Sequence, residues 1–246
     1  MQLIDTHFHL DFYRDHAYWY EKINELRQYT LCVTNSPGVY HSCKQLYKET
    51  KYIKFALGYN PQQSLSEPFP KNLFLHEIQG ANYIGEVGLD LSKNYVLTRK
   101  AQFDAFDFIC HIGAKQNKLL SVHSRKAERE TLDILLKNNV TRAIIHWYTG
   151  DIESITRFID AGYYFSVNAS MCATSSGREI IAKIPLERML VESDGPFSKI
   201  GKKKYTPLYL YEIYSAIMDV TGQKDLEMVI WENFKHLLTD CSPNAN

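Results

Sequence analysis

LIDTHFHLD (residues 3–11) begins as a short apolar run and leads into two histidines. Successive side chains of a β-strand point to opposite faces, so His7 and His9 would point the same way. Two imidazoles directed at one position can bind a metal ion. His-x-His pairs also occur at ordinary strand ends, and a metal site therefore needs further ligands from other parts of the chain.

The rest of the chain alternates between short apolar runs and amphipathic segments. The runs predict eight strands, at residues 2–6, 31–34, 53–58, 83–87, 119–123, 143–146, 163–168 and 188–192. The other segments predict helices at residues 18–29, 40–50, 72–79, 98–117, 126–138, 152–161, 177–184, 208–220 and 224–238. This alternation predicts an α/β fold with a parallel sheet, and eight strands favour a closed (β/α)8 TIM-like barrel of about 250 residues. We therefore expect one domain over residues 1–246.

The composition excludes some classes of protein. Lysine plus arginine and aspartate plus glutamate number 28 each, so overall charge does not indicate nucleic-acid or membrane binding, and any affinity for phosphate must come from a local site. There is neither a signal-peptide pattern nor an apolar run of about 18 residues. The five cysteines lack a CxxC pair and are typical of reduced thiols in a cytoplasmic protein: Cys32, Cys43, Cys110, Cys172 and Cys241.

Candidate ligands stand at four more predicted strand ends. Glu86 lies between glycines in IGEVGLD (84–90), and His123 and His146 each follow an apolar strand. In LVESDGP (190–196), Glu192 and Asp194 share the same parity, and Asp194 lies just past the strand. Each residue alone is more typical of an ordinary strand end. Because the carboxyl ends of barrel strands form the active face, their repetition indicates one shared site.

The six donors suit two divalent cations that share a bridging carboxylate: His7, His9, Glu86, His123, His146 and Asp194. Nitrogen and oxygen ligands without thiolate fit zinc, manganese or magnesium, and the sequence does not choose among them. Two such ions can activate water for displacement at phosphorus, with Asp194 and Glu86 as the catalytic carboxylates. Arg125 could bind a phosphate oxygen through its guanidinium, although a solvated arginine at a helix start is an equal alternative.

These segments resemble the TatD family of metal-dependent deoxyribonucleases, within the amidohydrolase-type barrels. The matching stretches, in the family's order, are DTHFHLD (5–11), IGEVGLD (84–90), VHSR (122–125), IHWYTG (145–150), LVESDGP (190–196), TP (206–207) and Asn233. The resemblance implies a distorted TIM barrel with one metal held by His7, His9 and Asp194. It implies a second metal at His123 and His146, bridged by Glu86. It also implies hydrolysis of phosphodiesters, often by trimming DNA from the 3′ end.

The chain departs from the family pattern in two places. The family's G-x-H-P-H segment is Gly-Tyr-Asn-Pro-Gln here (58–62), so Asn60 and Gln62 could hydrogen-bond substrate but cannot act as imidazolium acids. After Asp194, a family Arg-Asn is replaced by three lysines at 202–204, of which Lys203 is a candidate phosphate contact. A solvated charge run is an equal interpretation of these lysines. Tyr148 is a candidate for stacking against a base.

The departures are similar to the TatD-like component of the Qat anti-phage defence systems, which would imply antiviral defence beside an ATPase and a QueC-like protein. We otherwise expect a monomer. Two other functions remain open from the residues alone. One is hydrolysis of an ester or aminoacyl bond, since related barrels host many hydrolyses. The other is a metal-containing subunit that binds nucleic acid with weak activity, which the replaced histidines at 60 and 62 would explain.

Overall fold

Eight parallel strands form one sheet in which each strand pairs with its neighbours in the chain. The computed structural model describes residues 2–239. The strands are β1 (Ile4–Phe8), β2 (Tyr29–Val33), β3 (Ile53–Tyr59), β4 (Tyr83–Asp90), β5 (Leu119–Arg125), β6 (Ala143–His146), β7 (Tyr164–Val167) and β8 (Met189–Val191). The predicted (β/α)8 barrel is therefore confirmed.

Helices follow the strands and cover the outside of the sheet. They are α1 (His16–Leu26), α2 (Pro37–Leu46), α3 (Lys71–Glu77), α4 (Arg99–Lys115), α5 (Glu128–Lys137), α6 (Ile152–Asp160), α7 (Ala169–Cys172), α8 (Ser175–Ile181), α9 (Leu210–Thr221) and α10 (Leu226–Thr239). Helix α6 begins after Asp151, whose side chain accepts a hydrogen bond from Ser154 N (2.8 Å) and so caps the helix. Strands covered on both faces bury nearly all their side chains, as all five residues of β1 do.

The structure corrects the end of one predicted helix and adds two elements that were not predicted. Helix α1 ends at Leu26, because Arg27 takes a left-handed φ of 55°, and Tyr29 opens β2 rather than closing the helix. The short helix α7 was not predicted; Asn168 caps it by accepting a hydrogen bond from Met171 N. A small hairpin of β9 (Lys199–Ile200) and β10 (Lys203–Lys204) was also not predicted.

The first and last strands meet without a continuous ladder. Phe8, at the end of β1, and Gly195, just after β8, form one isolated backbone bridge. Further hydrogen bonds, several of them from side chains, complete the contact between β1 and β8, which we call the seam. The buried Asp5 carboxylate accepts hydrogen bonds from Ser193 N (2.9 Å) and Ser193 Oγ (2.5 Å), and Thr6 Oγ1 donates to Val191 O (3.1 Å). Asp194 N donates to His7 O (2.8 Å), which joins the two strand ends at the level of the predicted ligands.

The four cysteines among the described residues are free and buried, which agrees with reduced structural thiols: Cys32, Cys43, Cys110 and Cys172. Cys241 lies outside the described residues. Across residues 2–239, none of the helices combines the length and apolar character needed to cross a bilayer.

Candidate metal centre

The structure brings the six predicted ligands together at the carboxyl ends of the strands. His7 belongs to β1, Glu86 to β4, His123 to β5 and His146 to β6, while His9 and Asp194 follow β1 and β8. Five of the six are buried, and the side chain of His123 is 14% exposed. Ionisable groups are rarely buried unless they pair with one another or hold a metal, so this clustering indicates a functional site.

The Glu86 carboxylate divides its two oxygens between two groups of histidines. Oε1 lies 2.8 Å from His123 Nδ1 and 3.0 Å from His146 Nε2. Oε2 lies 3.4 Å from His9 Nε2 and 3.8 Å from His7 Nε2. The carboxylate is therefore shared between two neighbouring sets of donors.

Asp194 joins the second of these groups. Its Oδ1 lies 3.4 Å from His9 Nε2 and 3.7 Å from His7 Nε2. Two sets of donors, each with ligand atoms within 4.8 Å of one another, follow: His7 with His9 and Asp194, and Glu86 with His123 and His146. A third set of the same size overlaps them, consisting of His7, His146 and Glu192.

Two glycines of β4 allow this close packing around Glu86. A Cβ on Gly88 would lie 2.0 Å from the carbonyl oxygen of His123, and φ of Gly88 is 141°. A Cβ on Gly85 would lie 2.8 Å from Cβ of Ser121. Only glycine lets β4 approach β5 at these points, and the approach brings Glu86 to His123.

The contacts between histidines test whether the site fits a cation. His7 Nε2 lies 3.2 Å from His9 Nε2, and His123 Nδ1 lies 3.3 Å from His146 Nε2. Two ring nitrogens this close repel through their lone pairs unless a proton or a cation lies between them. Imidazole and carboxylate donors suit zinc, manganese and magnesium, so the residues fit divalent metal binding.

A second layer of polar groups orients these imidazoles. His7 Nδ1 lies 2.8 Å from Ser121 Oγ, and His123 Nε2 lies 3.4 Å from Asp90 Oδ2. Such contacts hold a ligating ring in one orientation and set its basicity. Our sequence interpretation missed Ser121 and Asp90. A signal for Asp90 was present, because it has the strand parity of Glu86 within the same quoted motif.

Glu192 is a third residue behind the ligands that we did not assign. Its Oε2 lies 3.8 Å from His146 Nδ1, and its carboxylate also accepts hydrogen bonds from Ser166 Oγ and from Asn168 Nδ2 (2.9 Å). Of the two acids that follow β8, Glu192 therefore lies behind His146, and Asp194 lines the cavity. Equal parity in the sequence did not separate these two roles.

Burial and neighbouring charge shift the pKa values of the carboxyl groups in opposite directions. Burial alone would raise the pKa of Glu86, but interactions with His146, His123 and His7 outweigh burial and hold this pKa well below its usual range. At the seam, burial raises the pKa of Asp5 to about 7, although hydrogen bonds from Ser193 oppose the shift. Glu86 thus keeps its charge, as a shared metal ligand requires.

Five of the six ligands line a cavity of about 370 Å³, and we call this part of the lining its floor: His9, Glu86, His123, His146 and Asp194. Three predicted substrate residues line it: Arg125, Asn60 and Gln62. Asn60 Oδ1 accepts a hydrogen bond from Gln62 N (2.9 Å), and Gln62 Nε2 donates to Asp90 Oδ2 (2.9 Å). Trp147 also lines the cavity, as do four residues that we did not predict: Asn35, Ser124, Thr149 and Phe197.

Two other predicted substrate residues lie elsewhere. Tyr148 is fully buried, packs against Phe158 and Phe165, and donates a hydrogen bond to Asp151 O (2.7 Å), so it does not face the cavity. Lys203 lies on the β9–β10 hairpin with its Nζ 5.7 Å from the Tyr209 ring centre, and it does not line the cavity. The expected contact of Tyr148 is therefore wrong, and any contact of Lys203 would be with substrate outside the cavity.

The barrel and its His/Asp/Glu centre define a metal-dependent hydrolase with an amidohydrolase-type fold. The model of the family described as TatD related DNase matches residues 4–239, and the chain belongs to this family. The chain is 28% identical to the uncharacterized metal-dependent hydrolase YcfH of Escherichia coli (strain K12), over 96% of each protein. It is 26% identical to deoxyribonuclease TATDN3 of Homo sapiens, over 96% of this chain and 97% of that protein.

Solved structures show the same fold. The crystal structure of YJJV, a TatD homolog from Escherichia coli K12, superposes with a TM-score of 0.82 at 19% identity and covers 96% of this chain and 97% of that one. A TatD family hydrolase from Entamoeba histolytica superposes with a TM-score of 0.77 at 14% identity, covering 96% and 98%. At these identities the likeness concerns the barrel and its topology.

Proposed function

We propose that this protein is a two-metal phosphodiesterase that removes nucleotides from the end of a DNA strand. The division of the Glu86 carboxylate between two groups of histidines carries the proposal. A carboxylate shared between neighbouring cations suits the two-metal hydrolysis of phosphodiesters. The proposed ligands of one ion are His7, His9 and Asp194, those of the other are His123 and His146, and Glu86 bridges the two.

Divalent cations at this centre would lower the pKa of a water molecule and stabilise negative charge on a phosphate. Asp194 is the proposed proton acceptor for that water, because its carboxylate lines the cavity beside His9. Glu86 stays ionised, since the surrounding histidines hold its pKa low, and it is therefore assigned to charge balance rather than to proton donation.

Arg125 is the proposed phosphate contact. It is exposed, it ends β5 two residues after His123, and it lines the cavity. Its guanidinium can bind two phosphate oxygens at once. Asn60 lines the cavity as well. Its Oδ1 accepts a hydrogen bond from Gln62 N, and its Nδ2 can serve as a neutral donor for substrate.

The β9–β10 hairpin supports a nucleic-acid substrate. Four exposed lysines lie on or beside it, and none forms an ion pair within residues 2–239: Lys199, Lys202, Lys203 and Lys204. The hairpin follows β8 directly and packs against α7, which itself follows β7. Unpaired lysines near the active face can hold the phosphates of a strand beyond the cavity.

The test is cleavage of single- and double-stranded oligonucleotides, labelled at either end, by purified protein with magnesium, manganese or zinc. We expect stepwise shortening from one end, and Asp194→Asn should slow it at least 100-fold. Asp219→Asn, an exposed aspartate on α9, is the matched control and should cleave at the wild-type rate. Equal cleavage by wild type and Asp194→Asn, or no cleavage by wild type with any of these metals, would overturn the proposal.

Membership of the Qat branch, its partner proteins, a monomeric state, a cytoplasmic location and one domain over residues 1–246 stay predictions from the sequence.

A further inference from the structure

Two exposed phenylalanines contact His9: Phe197, which lines the cavity, and Phe12, which packs against Phe197. We call this pair the rim of the cavity. Phe12 is 46% exposed and Phe197 is 50% exposed. Their ring centres lie 4.9 Å apart at an interplanar angle of 67°. Large apolar side chains scattered singly on a surface are ordinary, but a contacting pair beside a buried polar centre is not.

A turn closed by a backbone hydrogen bond positions each of the two phenylalanine rings. Phe12 follows His9 by three residues, and Phe12 N donates a hydrogen bond to His9 O (3.3 Å). Phe197 follows Asp194 by three residues, and Phe197 N donates to Asp194 O (2.8 Å). Each turn therefore ties one phenylalanine to one proposed metal ligand, and the seam between β1 and β8 brings the two turns together.

Both rings also contact the imidazole of His9. The ring centres of His9 and Phe12 lie 5.5 Å apart at 84°, and those of His9 and Phe197 lie 5.2 Å apart at 82°. Edge-to-face packing of this kind uses only part of each phenylalanine. About half of each phenylalanine side chain stays exposed despite these contacts. The exposed parts lie close to the proposed metal ligands, because both rings touch His9.

We propose that Phe12 and Phe197 form a stacking site for an unpaired nucleobase of the substrate strand. This inference rests on the proposed function and narrows the substrate class to single-stranded or frayed ends. A nucleotide whose phosphate lies at the cavity floor carries its base to the rim, where the two rings lie. Inside a duplex both faces of each base are covered by neighbouring bases, so a protein ring can stack there only on a base that has become unpaired, as at a frayed end.

The continuation of the chain supports this assignment. The β9–β10 hairpin begins at Lys199, two residues after Phe197, and presents exposed lysines. An aromatic site for bases beside a basic site for the backbone is the combination that single-strand-binding proteins use. A protein partner would instead need a larger apolar surface around the two rings. The exposed residues within three positions after them are charged: Arg14, Asp15 and Lys199.

The test uses a short single strand with 2-aminopurine at its terminal nucleotide, whose fluorescence falls when the base stacks. Binding is measured in calcium, with wild type, Phe12→Leu, Phe197→Leu and Phe197→Trp. Tyr211→Leu, another exposed aromatic on α9, is the matched control. The leucine variants should lose the quenching and bind at least about fivefold more weakly, while Phe197→Trp and the control should keep both. A strand that is abasic at that position should bind wild type and the leucine variants alike.

Quenching that is unchanged in both leucine variants, or an equal loss of affinity for the normal and the abasic strand, would overturn the stacking site. This readout does not require cleavage. The cleavage assay therefore decides the proposed function, and the fluorescence assay decides the stacking site, whichever way the other result falls. Thermal unfolding of the leucine variants should match wild type, because both rings are half-exposed.

Discussion

Asp90 lies directly behind His123, with Oδ2 of the carboxylate 3.4 Å from Nε2 of the imidazole. The opposite ring nitrogen, Nδ1, faces Glu86 at 2.8 Å. His123 is thus held between two carboxylates, one that orients the ring and one that shares the metal centre. Gln62 fixes Asp90 in turn through a hydrogen bond of 2.9 Å.

Asp90→Asn should therefore weaken metal binding by about 10- to 100-fold, because the ring loses the partner that orients it and raises its basicity. Titration of the metal-free protein with zinc or manganese measures this directly. Asp104→Asn, which removes a carboxylate exposed on α4, should bind as wild type does. Equal affinities of Asp90→Asn and wild type would show that the carboxylate behind His123 has no part in metal binding.

Single substitutions should empty the two proposed metal positions separately. His9→Ala removes a donor from the group with His7 and Asp194, and His146→Ala removes one from the group with His123. Each should lower the bound metal from two ions to one per chain, while Glu86→Gln should reduce both. Elemental analysis of the dialysed proteins gives the stoichiometry. A wild-type protein that holds a single ion would contradict the two-metal assignment.

Asp5→Ala should destabilise the barrel at the seam between β1 and β8. The change removes the acceptor of Ser193 N and Ser193 Oγ and leaves a buried amide without a partner. We expect a loss of about 2–4 kcal/mol in the free energy of unfolding, measured by urea denaturation. Asp133→Ala removes only an exposed ion pair with Arg157 and should change the free energy by less than about 1 kcal/mol. A similar small change for Asp5→Ala would mean that the seam does not depend on this carboxylate.

Lys202→Ala/Lys203→Ala should weaken binding of single-stranded DNA and reduce its salt dependence. If both lysines contact phosphates, the slope of log K against log salt should fall by about 1.4, which is 0.7 for each contact. The control is Lys51→Ala/Lys183→Ala, since these lysines precede β3 and β8 and lie at the opposite end of the barrel. Identical slopes for the two double variants would leave the hairpin without a role in DNA binding.

The fold and the ligand set were accessible from the sequence because both depend on local patterns. An apolar run that ends in His, Glu or Asp marks the carboxyl end of a strand, and a barrel brings all such ends to one face. His146 could be assigned in this way, but Tyr148 could not. Trp147 takes a left-handed φ of 37°, which breaks the alternation of the strand, and Tyr148 then packs against α6 and β7.

Contacts between distant parts of the chain were not accessible. The hydrogen bonds of Asp5 with Ser193 join residues that are 188 positions apart, and their pairing depends on the register in which the barrel closes. The same holds for Asp90 behind His123, and for Phe12 beside Phe197. Strand parity predicts the face on which a strand side chain lies, but not the partner that it meets.

The seam between β1 and β8 has a consequence for how the protein is made. His9 precedes Asp194 by 185 positions, so the group of His7, His9 and Asp194 stays incomplete until β8 and the residues after it have been synthesised. A nascent or truncated chain that stops before β8 cannot assemble this part of the centre. A metal ion bound by this group would therefore link the first strand to the last, and its binding would require that the barrel has closed.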